Sequence, residues 1–387
     1  MNPREIFVEV SHGSLTKHNE EVCGDNVMVK RVDDGSTIVV MSDGLGSGIK
    51  ASILATLTTR IIATMLEKGV NLKEVVETLA ETLPVCQVRK LAYSTFTILR
   101  ISSRGEVVAF EYGNPEPFFI HQGRLNTISG NEYPVGGIKI SESYFPMDRN
   151  DYLVIVSDGI VHAGLGKVWS MGWQRERVGK FLEEKAGSLP SASSLTRSLL
   201  DTANSFYEEM PGDDATCVVI NSRLFQRLIA MIGPPLDVKD DENVVNELVN
   251  FDGIKVVCGG STTNIVARIL KEELIVDISS MCNGIPPTGI LKGIDLVTEG
   301  ILTLSGALEQ IKGGVVSDEL VDRRDGASRL AKVLLSADSI NFVVGQTINP
   351  AHQNPNMPSE LVIKRKIVES IASLLREKGK RVTMEYC

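Results

Sequence analysis

The chain has 387 residues, of which 43% are hydrophobic and 23% are charged, and its formal net charge is −9. This balance is typical of a globular protein, and the length favours two domains over one. The negative charge and the lack of a basic cluster argue against a nucleic-acid surface, and apolar runs such as residues 53–65 are too short to span a bilayer. The N-terminus lacks signal-peptide features. We therefore expect a cytoplasmic protein with neither a nucleic acid nor a membrane as partner.

The first 222 residues predict strands and helices in separate groups. A hairpin is expected where two apolar runs flank the turn at residues 33–36, and a glycine-rich turn at 44–48 leads into a long helix. We expect that helix to pack on a sheet through Ile53, Leu54, Leu57, Ile61, Ile62 and Met65. Further helices are predicted at 72–83, 175–185 and 193–209, further strands at 94–101, 106–112, 118–121, 152–156 and 216–220, and a loop at 131–137. Because strands cluster apart from helices, the pattern favours an α+β fold with antiparallel sheets.

The pattern changes after Ser222. An amphipathic segment and an acidic stretch over residues 223–250 predict a linker and helix between two domains, at 1–222 and 251–387. The strands predicted in the second domain are Ile254 to Cys258, Leu274 to Asp277, Asp295 to Val297, Ile340 to Val344 and Val382 to Glu385. Their alternation with helices favours a smaller α/β domain with a largely parallel sheet.

Acidic residues stand at the ends of several apolar strands. Four short segments have this design: Gly24-Asp25, Ser42-Asp43-Gly44, Ser157-Asp158-Gly159 and Gly212-Asp213-Asp214. A charged group at the end of a buried strand costs free energy of desolvation unless it is paired or bound to a metal. Oxygen ligands suit Mg²⁺ or Mn²⁺, whereas Zn²⁺ more often brings His or Cys. A single Asp-Gly after a strand is more often a turn than a metal ligand, but the combination favours a site for hard cations.

These segments resemble a known family. Residues from about Val8 to Ser222 look like the SpoIIE-like branch of the metal-dependent serine/threonine phosphatases, the PPM superfamily related to protein phosphatase 2C. The matching stretches, in order, are Gly24-Asp25, Ser42 to Gly48 with Ala51, Gly113-Asn114-Pro115, Phe118 to Ile120, Pro134-Val135-Gly136, Ser157-Asp158-Gly159 and Asp213 to Thr216. The resemblance implies a phosphatase-type β-sandwich flanked by helices, with metals in a cleft at one edge.

The resemblance also implies roles for individual residues around two divalent cations, Mn²⁺ or Mg²⁺. Asp43 would bridge both cations, and the carbonyl of Gly44 would join the second. Asp158 and Asp213 would hold the first cation, which makes Asp43, Asp158 and Asp213 the catalytic aspartates. Two residues have weaker assignments: Asp25 matches an acid around the metals or at a further metal position, and Asp214 would support the ligand beside it. Water activated by the metals would attack phosphorus in line, without a phosphoenzyme.

The sequence departs from better-known relatives at three points. Gly24 stands where many relatives have a glutamate ligand, so the second cation is expected to bind more weakly. Leu45 replaces a histidine that could protonate the leaving oxygen. The phosphate-binding arginine has no clear match, and Lys17 or His18 is a candidate substitute, although each is equally consistent with ordinary surface.

The second domain carries a weaker signal. Gly259-Gly260 follows a predicted strand and precedes a helix, which favours either anion binding or close packing. Asp277, Asp295 and Glu299 also stand near strand ends, where α/β sheets bind ligands. We expect a regulatory role with a small ligand or protein partner, and resemblance alone suggests a link to iron hydrogenase systems.

The function predicted for the whole chain is metal-dependent hydrolysis of phosphoserine or phosphothreonine on a partner protein, regulated by the second domain. The alternative is a non-catalytic scaffold or sensor that binds a phosphoprotein through the same fold. A hydrolase of small phosphate esters would need a deep, enclosed pocket.

Overall fold

The computed structural model describes residues 6–32, 34–82, 85–86, 91–92, 94–135, 138–188, 191–282, 284–315, 317–347 and 360–387. Of the positions quoted above, residues 33, 83, 136 and 137 lie outside these residues. The chain divides into two units, Met1–Leu224 and Phe225–Cys387.

The first unit combines two large antiparallel sheets with helices. Its strands are β1 Phe7–Leu15, β2 Asp25–Arg31, β3 Thr37–Gly44, β4 Val85–Cys86, β5 Leu91–Ala92, β6 Ser94–Ile101, β7 Glu106–Tyr112, β8 Phe118–His121, β9 Arg124–Asn126, β10 Gly130–Val135, β11 Ile138–Pro146, β12 Tyr152–Val156 and β13 Ala215–Arg223. Its helices are α1 Gly48–Glu67, α2 Leu72–Thr82, α3 Asp158–Val161, α4 Arg175–Ala186 and α5 Ala192–Phe206. The strand orders are β1-β13-β12-β8-β9 and β10-β11-β7-β6-β3-β2, and β4 pairs only with β5.

The two large sheets stack face to face. Alternate residues of β3, β6, β12 and β13, including Met41, Leu99, Ile155 and Val218, form one apolar layer between them. Helices α1 and α2 cover the outer face of the six-stranded sheet, and α4 and α5 cover that of the five-stranded sheet. The predicted β-sandwich flanked by helices is therefore confirmed.

Helix α1 packs through a face that overlaps the predicted one only in part. Of the predicted stripe, Ile62 is buried, and most of the other buried residues are small: Gly48, Ala51, Ala55, Thr58, Thr59, Ala63 and Leu66. Small side chains let the helix approach β3 closely, and the large ones are left outward. Ile49, Ile53, Leu57 and Ile61 are consequently 37 to 62% exposed.

Helix α1 is also the one helix among the described residues with the length and apolar composition of a membrane span. Core helices share those properties, and α1 packs against a sheet, so this is weak evidence for a membrane segment. Elsewhere in this unit, the predicted loop at 131–137 is largely strand β10, which pairs with β11.

The second unit is an α/β structure. Its strands are β14 Arg227–Ile232, β15 Ile254–Cys258, β16 Ile275–Asp277, β17 Thr288–Leu291, β18 Ile294–Thr298, β19 Ser339–Val344 and β20 Arg381–Tyr386. Its helices are α6 Asp241–Asn250, α7 Gly260–Leu270, α8 Ile301–Lys312, α9 Gly326–Ser336 and α10 Glu360–Glu377. The strand order is β16-β17-β18-β15-β14-β19-β20, and β18, β15, β14, β19 and β20 run parallel. Apolar clusters lie on both faces of the sheet, so the largely parallel sheet is confirmed.

The segment predicted as a linker and helix contains a central strand instead. β14 pairs with β15 on one side and with β19 on the other, and Leu228 to Ile232 are all buried. A short apolar run of this kind fits a helix and a buried strand equally well by periodicity. Only α6 matches the predicted helix, so 223–250 belongs mainly to the second unit.

Candidate metal centre

The acidic residues lie where the apolar layer between the sheets gives way to polar side chains. Along β2 the layer contains Val27 and Val29, and along β3 it contains Val39 and Met41. Because side chains alternate between faces, Asp25 and Asp43 continue the same inward rows. The two aspartates are direct partners across β2 and β3.

The facing sheet ends in polar residues too. Ser157 follows β12, and Thr216 lies near the start of β13 on the face that Val218 and Ile220 present to the apolar layer. The Thr216 amide donates to Ser157 Oγ at 2.8 Å, and the Thr216 and Ser14 hydroxyls are 2.7 Å apart. These bonds hold the strand ends that carry Asp158 and Asp213-Asp214.

The serine before each Asp-Gly has a structural role. Ser42 is fully buried, and its hydroxyl donates to the Thr95 carbonyl at 2.7 Å, which fixes β3 against β6. Ser157 accepts the Thr216 amide in the same way on the other sheet. Both copies of Ser-Asp-Gly therefore use the hydroxyl to fix the backbone that presents the aspartate.

The glycines after the two aspartates are required by close packing rather than by a sharp turn. A Cβ on Gly44 would lie 2.1 Å from the Ala51 carbonyl oxygen, in the first turn of α1. A Cβ on Gly159 would lie 2.1 Å from the Asp214 carbonyl oxygen. Neither glycine has a positive φ, so close packing and not a left-handed backbone accounts for both.

Five carboxylates interact electrostatically at this end of the sandwich. Burial raises the pKa of Asp43 to about 8, and four neighbours, Asp25, Asp158, Asp213 and Asp214, add to the rise. Burial likewise raises the pKa of Asp25 to about 6 and raises that of Asp158. Each shift shows that a negative charge is unfavourable here without a cation.

Two of the aspartates are buried with oxygens that lack partners. Asp25 is 6% exposed, and neither of its carboxylate oxygens has a hydrogen bond of good geometry, although the nearby Thr216 and Ser157 hydroxyls partly offset the rise in its pKa. Asp214 is 5% exposed; its Oδ1 accepts the Lys17 amide at 3.0 Å, whereas Oδ2 is unpartnered. Buried carboxylate oxygens without donors are costly, and a hard cation would satisfy them.

Asp213 and Asp158 are more open. Asp213 Oδ1 lies 3.6 Å from Lys17 Nζ, and both side chains are partly exposed. Asp158 Oδ2 lies 3.9 Å from His162 Nδ1, one turn further along the chain. Of the two candidate phosphate-binding residues, Lys17 thus places its ammonium group beside the acidic cluster. His18 contributes its backbone amide, which donates a hydrogen bond to the Pro211 carbonyl.

Gly24 has a neighbour that explains why it is glycine. A Cβ at this position would lie 2.8 Å from Asp214 Oδ2 and 3.0 Å from Ala51 Cβ. The Asp214 carboxylate therefore occupies space that a side chain at position 24 would need. The absence of a glutamate at position 24 and the burial of the Asp214 carboxylate therefore follow from the same local packing.

The oxygen atoms at this centre are of the kind that bind a metal, although they are not arranged as a finished site. Among the described residues, no three or more His, Cys, Asp or Glu side chains stand close enough to form a finished metal site. Carboxylates of like charge repel one another, so a cation would have to draw them together. An all-oxygen set with three unpartnered buried oxygens suits Mg²⁺ or Mn²⁺.

The sequence reasoning missed two residues of this unit, one beside the centre and one inside the sandwich. His162 lies on the chain just beyond the Ser-Asp-Gly segment, and its spacing of four from Asp158 was the available signal. Glu111 is 8% exposed and continues the inward row of Val107 and Ala109 on β7. The alternating pattern of that strand would have placed a carboxylate inside the sandwich.

Glu111 gives a testable pH dependence. Burial, followed by the charge of Glu116, raises its pKa from 4.5 to about 7, against the opposing charge of Arg175. The folded chain therefore holds this proton more tightly than the unfolded chain does, so the contribution of Glu111 to stability is largest below pH 4.5 and is lost as pH rises to about 7. We expect Glu111→Gln to raise the free energy of unfolding at pH 8 by about 1 to 3 kcal/mol, measured by urea denaturation.

At pH 4 the variant should have the same free energy of unfolding as the native chain, because Glu111 is then mostly protonated in both the folded and the unfolded chain. Glu184→Gln, on the exposed side of α4, is the control and should change stability little at either pH. An equal gain for Glu111→Gln at both pH values would contradict the assignment.

The comparisons with known proteins agree with this architecture. The sequence profile of the family described as Stage II sporulation protein E (SpoIIE) matches residues 33–223. The match begins after Asp25, so the place of Asp25 in the centre rests on its pairing with Asp43. No curated protein sequence matches the chain significantly.

Several solved structures are similar in fold. The phosphatase domain of SpoIIE from Bacillus subtilis is 17% identical, covers 57% of this chain and 94% of its own, and gives a TM-score of 0.44. The RsbU and RsbW domains of a Mycobacterium tuberculosis protein are 16% identical, with coverages of 64% and 68% and a TM-score of 0.46. RsbX in complex with magnesium is 18% identical, with coverages of 56% and 99% and a TM-score of 0.39.

The matched residues span nearly the whole two-sheet unit, from the turn after β2 to the end of β13. They include Asp43, Asp158, Asp213 and Asp214. Residues 33–223 therefore belong to the SpoIIE family of PP2C-type phosphatase domains.

Proposed function

We propose that the first unit is a cytoplasmic serine/threonine phosphatase that hydrolyses phosphoserine or phosphothreonine on a partner protein, with Mn²⁺ or Mg²⁺ as cofactor. The meeting of five aspartates at one end of the sandwich supports this, because three of their buried oxygens lack hydrogen-bond partners. Membership of residues 33–223 in the SpoIIE family supports the same class of activity.

In this proposal the cations are held by residues from both sheets. Asp43, Asp158, Asp213 and the Gly44 carbonyl would hold two cations, and Asp25 would serve a further position. Bound there, the cations would lower the pKa of a water molecule between them and offset charge on the phosphoryl oxygens. The Asp214 carboxylate would hold Lys17 in place by accepting the hydrogen bond from its backbone amide. The Lys17 ammonium would then bind a phosphate oxygen.

We extend the proposal to regulation by the second unit through a ligand or protein partner. That unit has apolar clusters on both faces of its own sheet, as a separate module does. The link to iron hydrogenase systems stays a prediction, since no described residue bears on it.

Metal dependence tests the function directly. We expect the purified chain to hydrolyse a phosphoserine peptide and p-nitrophenyl phosphate with added Mn²⁺ or Mg²⁺, and to lose at least about 100-fold in rate with EDTA. Adding back the metal should restore the rate. Turnover that is indifferent to EDTA would contradict metal catalysis, and peptide binding without turnover would favour the non-catalytic scaffold.

A further inference from the structure

The second unit contains a cavity of about 450 Å³ with basic residues around it. Its charged lining consists of Asp277, Asp295, Arg323, Arg324, Arg329 and Lys332. Asp277 ends β16, Asp295 lies near the start of β18, and the basic residues belong to the segment before α9 and to α9 itself. The volume is that of a pocket for a small molecule.

The carboxylates of this cavity already have partners. Asp277 Oδ1 accepts the Ser279 hydroxyl at 2.6 Å and the Ser279 amide at 3.2 Å. Asp295 Oδ2 accepts the Lys255 amide at 2.8 Å. Both acids therefore stabilise local backbone and form no ion pair with the basic side chains.

The positive charge, in contrast, is largely unpaired. Arg329 Nη1 donates to Thr288 Oγ1 at 2.9 Å, which holds the guanidinium in place without neutralising it. Within the described part of the chain, Arg323, Arg324 and Lys332 have no side-chain hydrogen bond and no ion pair. Four positively charged side chains thus line this cavity, and its two carboxylates already have hydrogen-bond partners. The positive charge is local, because the formal net charge of the chain is −9.

We propose that this cavity binds a small phosphorylated molecule with at least two anionic groups. A guanidinium presents a planar fork of donors that matches phosphate oxygens, and three arginines lie around the same space. The cavity opens to solvent, and Arg323 and Arg324 are exposed, but its concave wall brings four positive charges around one space. The cavity size selects a small ligand rather than a protein segment or a nucleic acid.

The glycine loop that the sequence singled out is less suited to an anion. α7 begins at Gly260, and the buried hydroxyl of Thr262 is unpartnered there. However, the Glu299 carboxylate oxygens lie 3.6 and 3.8 Å from the position of a Cβ on Gly260. A negative side chain already stands over that helix start, so the basic cavity is the anion site of this unit.

Binding can be measured directly on the full chain by isothermal titration calorimetry with inorganic pyrophosphate as the probe. We expect saturable binding that weakens with added salt. Replacing three cations together, Arg323→Gln, Arg324→Gln and Lys332→Gln, should weaken it by at least about tenfold. A matched triple variant of exposed lysines outside the cavity, Lys271→Gln, Lys366→Gln and Lys378→Gln, should bind like the native chain.

Two further arms locate and identify the ligand. Asp43→Asn should bind pyrophosphate normally, because its acidic cluster belongs to the other unit; this makes the result independent of the proposed phosphatase function. Citrate should bind at least about tenfold more weakly than pyrophosphate, because pyrophosphate holds its terminal oxygens closer together and can offer them to several of the cations at once. Thermal unfolding checks the fold of each variant, and the double variant Arg323→Gln, Arg324→Gln replaces the triple one if that unfolds early.

Any of four results would overturn the proposal. These are no binding of pyrophosphate at millimolar concentration, unchanged binding in the cavity variant, an equal loss in the lysine control, and equal affinity for citrate. Binding lost in Asp43→Asn but kept in the cavity variant would place the anion at the acidic centre of the first unit instead.

Discussion

Replacing Asp43 by asparagine should lower the rate of phosphoserine-peptide hydrolysis by about a thousandfold at saturating Mn²⁺. Asp43 lies beside Asp25 on the neighbouring strand, and all four other aspartates of the centre raise its pKa. In the proposed function, removing its charge would weaken the hold on the cations, which would supply much of the stabilisation of the transition state. Initial rates over a range of Mn²⁺ concentrations measure both the loss and the change in metal requirement.

Asp201→Asn is the matched control, because Asp201 is an exposed carboxylate on α5 in the same unit. It should keep the native rate. The free energy of unfolding without metal gives a second readout. Burial and like charges raise the pKa of Asp43 to about 8, so its ionised form opposes folding at neutral pH. Asp43→Asn should therefore be at least as stable as the native chain, and a thousandfold loss that came from unfolding would contradict the role.

Gly44→Ala should be the most destabilising small substitution in the first unit. The added methyl would lie 2.1 Å from the Ala51 carbonyl oxygen and 2.6 Å from its carbonyl carbon. Because these are backbone atoms of α1, the helix itself must move away from β3. We expect a loss of about 3 kcal/mol in the free energy of unfolding, measured by urea denaturation, together with weakened Mn²⁺ activation.

Gly187→Ala provides the comparison. Gly187 has a φ of −78° and no atom within 4 Å of the added Cβ. Its substitution should change stability by no more than about 0.5 kcal/mol. If the two alanine variants were equally stable, the close approach of α1 to Gly44 would not be a determinant of the fold.

The elements that the sequence predicted well are those with one dominant signal. The strand predicted at 152–156 is β12, and that at Ile254 to Cys258 is β15, because each is a short apolar run between turn residues. The prediction for β14 was wrong because its short apolar run also fits a helical stripe. Only the pairing of β14 with β15 and β19 identifies it as a strand. Secondary structure was thus predictable wherever the local sequence pattern excluded either a helix or a strand.

The face of α1 could not be predicted from hydrophobicity. A helix that lies tightly on a sheet buries small residues such as Ala51 and Ala55, and the large Ile53 and Leu57 stay outside. The pattern of large apolar residues therefore indicated a face that shares only Ile62 with the fully buried one. Only the distance between helix and sheet, a tertiary property, decides which set is buried.

The centre itself was partly predictable. Strand-end position identified Asp43 and Asp158, whereas Asp25 gains its place from pairing across β2 and β3. The relation between Gly24 and Asp214 joins positions 190 residues apart, so no local pattern could show it. Likewise, the basic cavity joins the start of β18 with α9, which are far apart in the chain.

The apolar layer between the two sheets has a consequence for the choice of ion. Asp25 and Asp43 belong to one sheet, whereas Asp158 and Asp213 extend from the other, so the thickness of that layer sets the gap a cation must bridge. Met41, fully buried two residues before Asp43, works as a spacer in this sense. A thinner or thicker layer would change that gap, so residues that never touch a metal, such as Met41, would influence which ion fits the proposed centre.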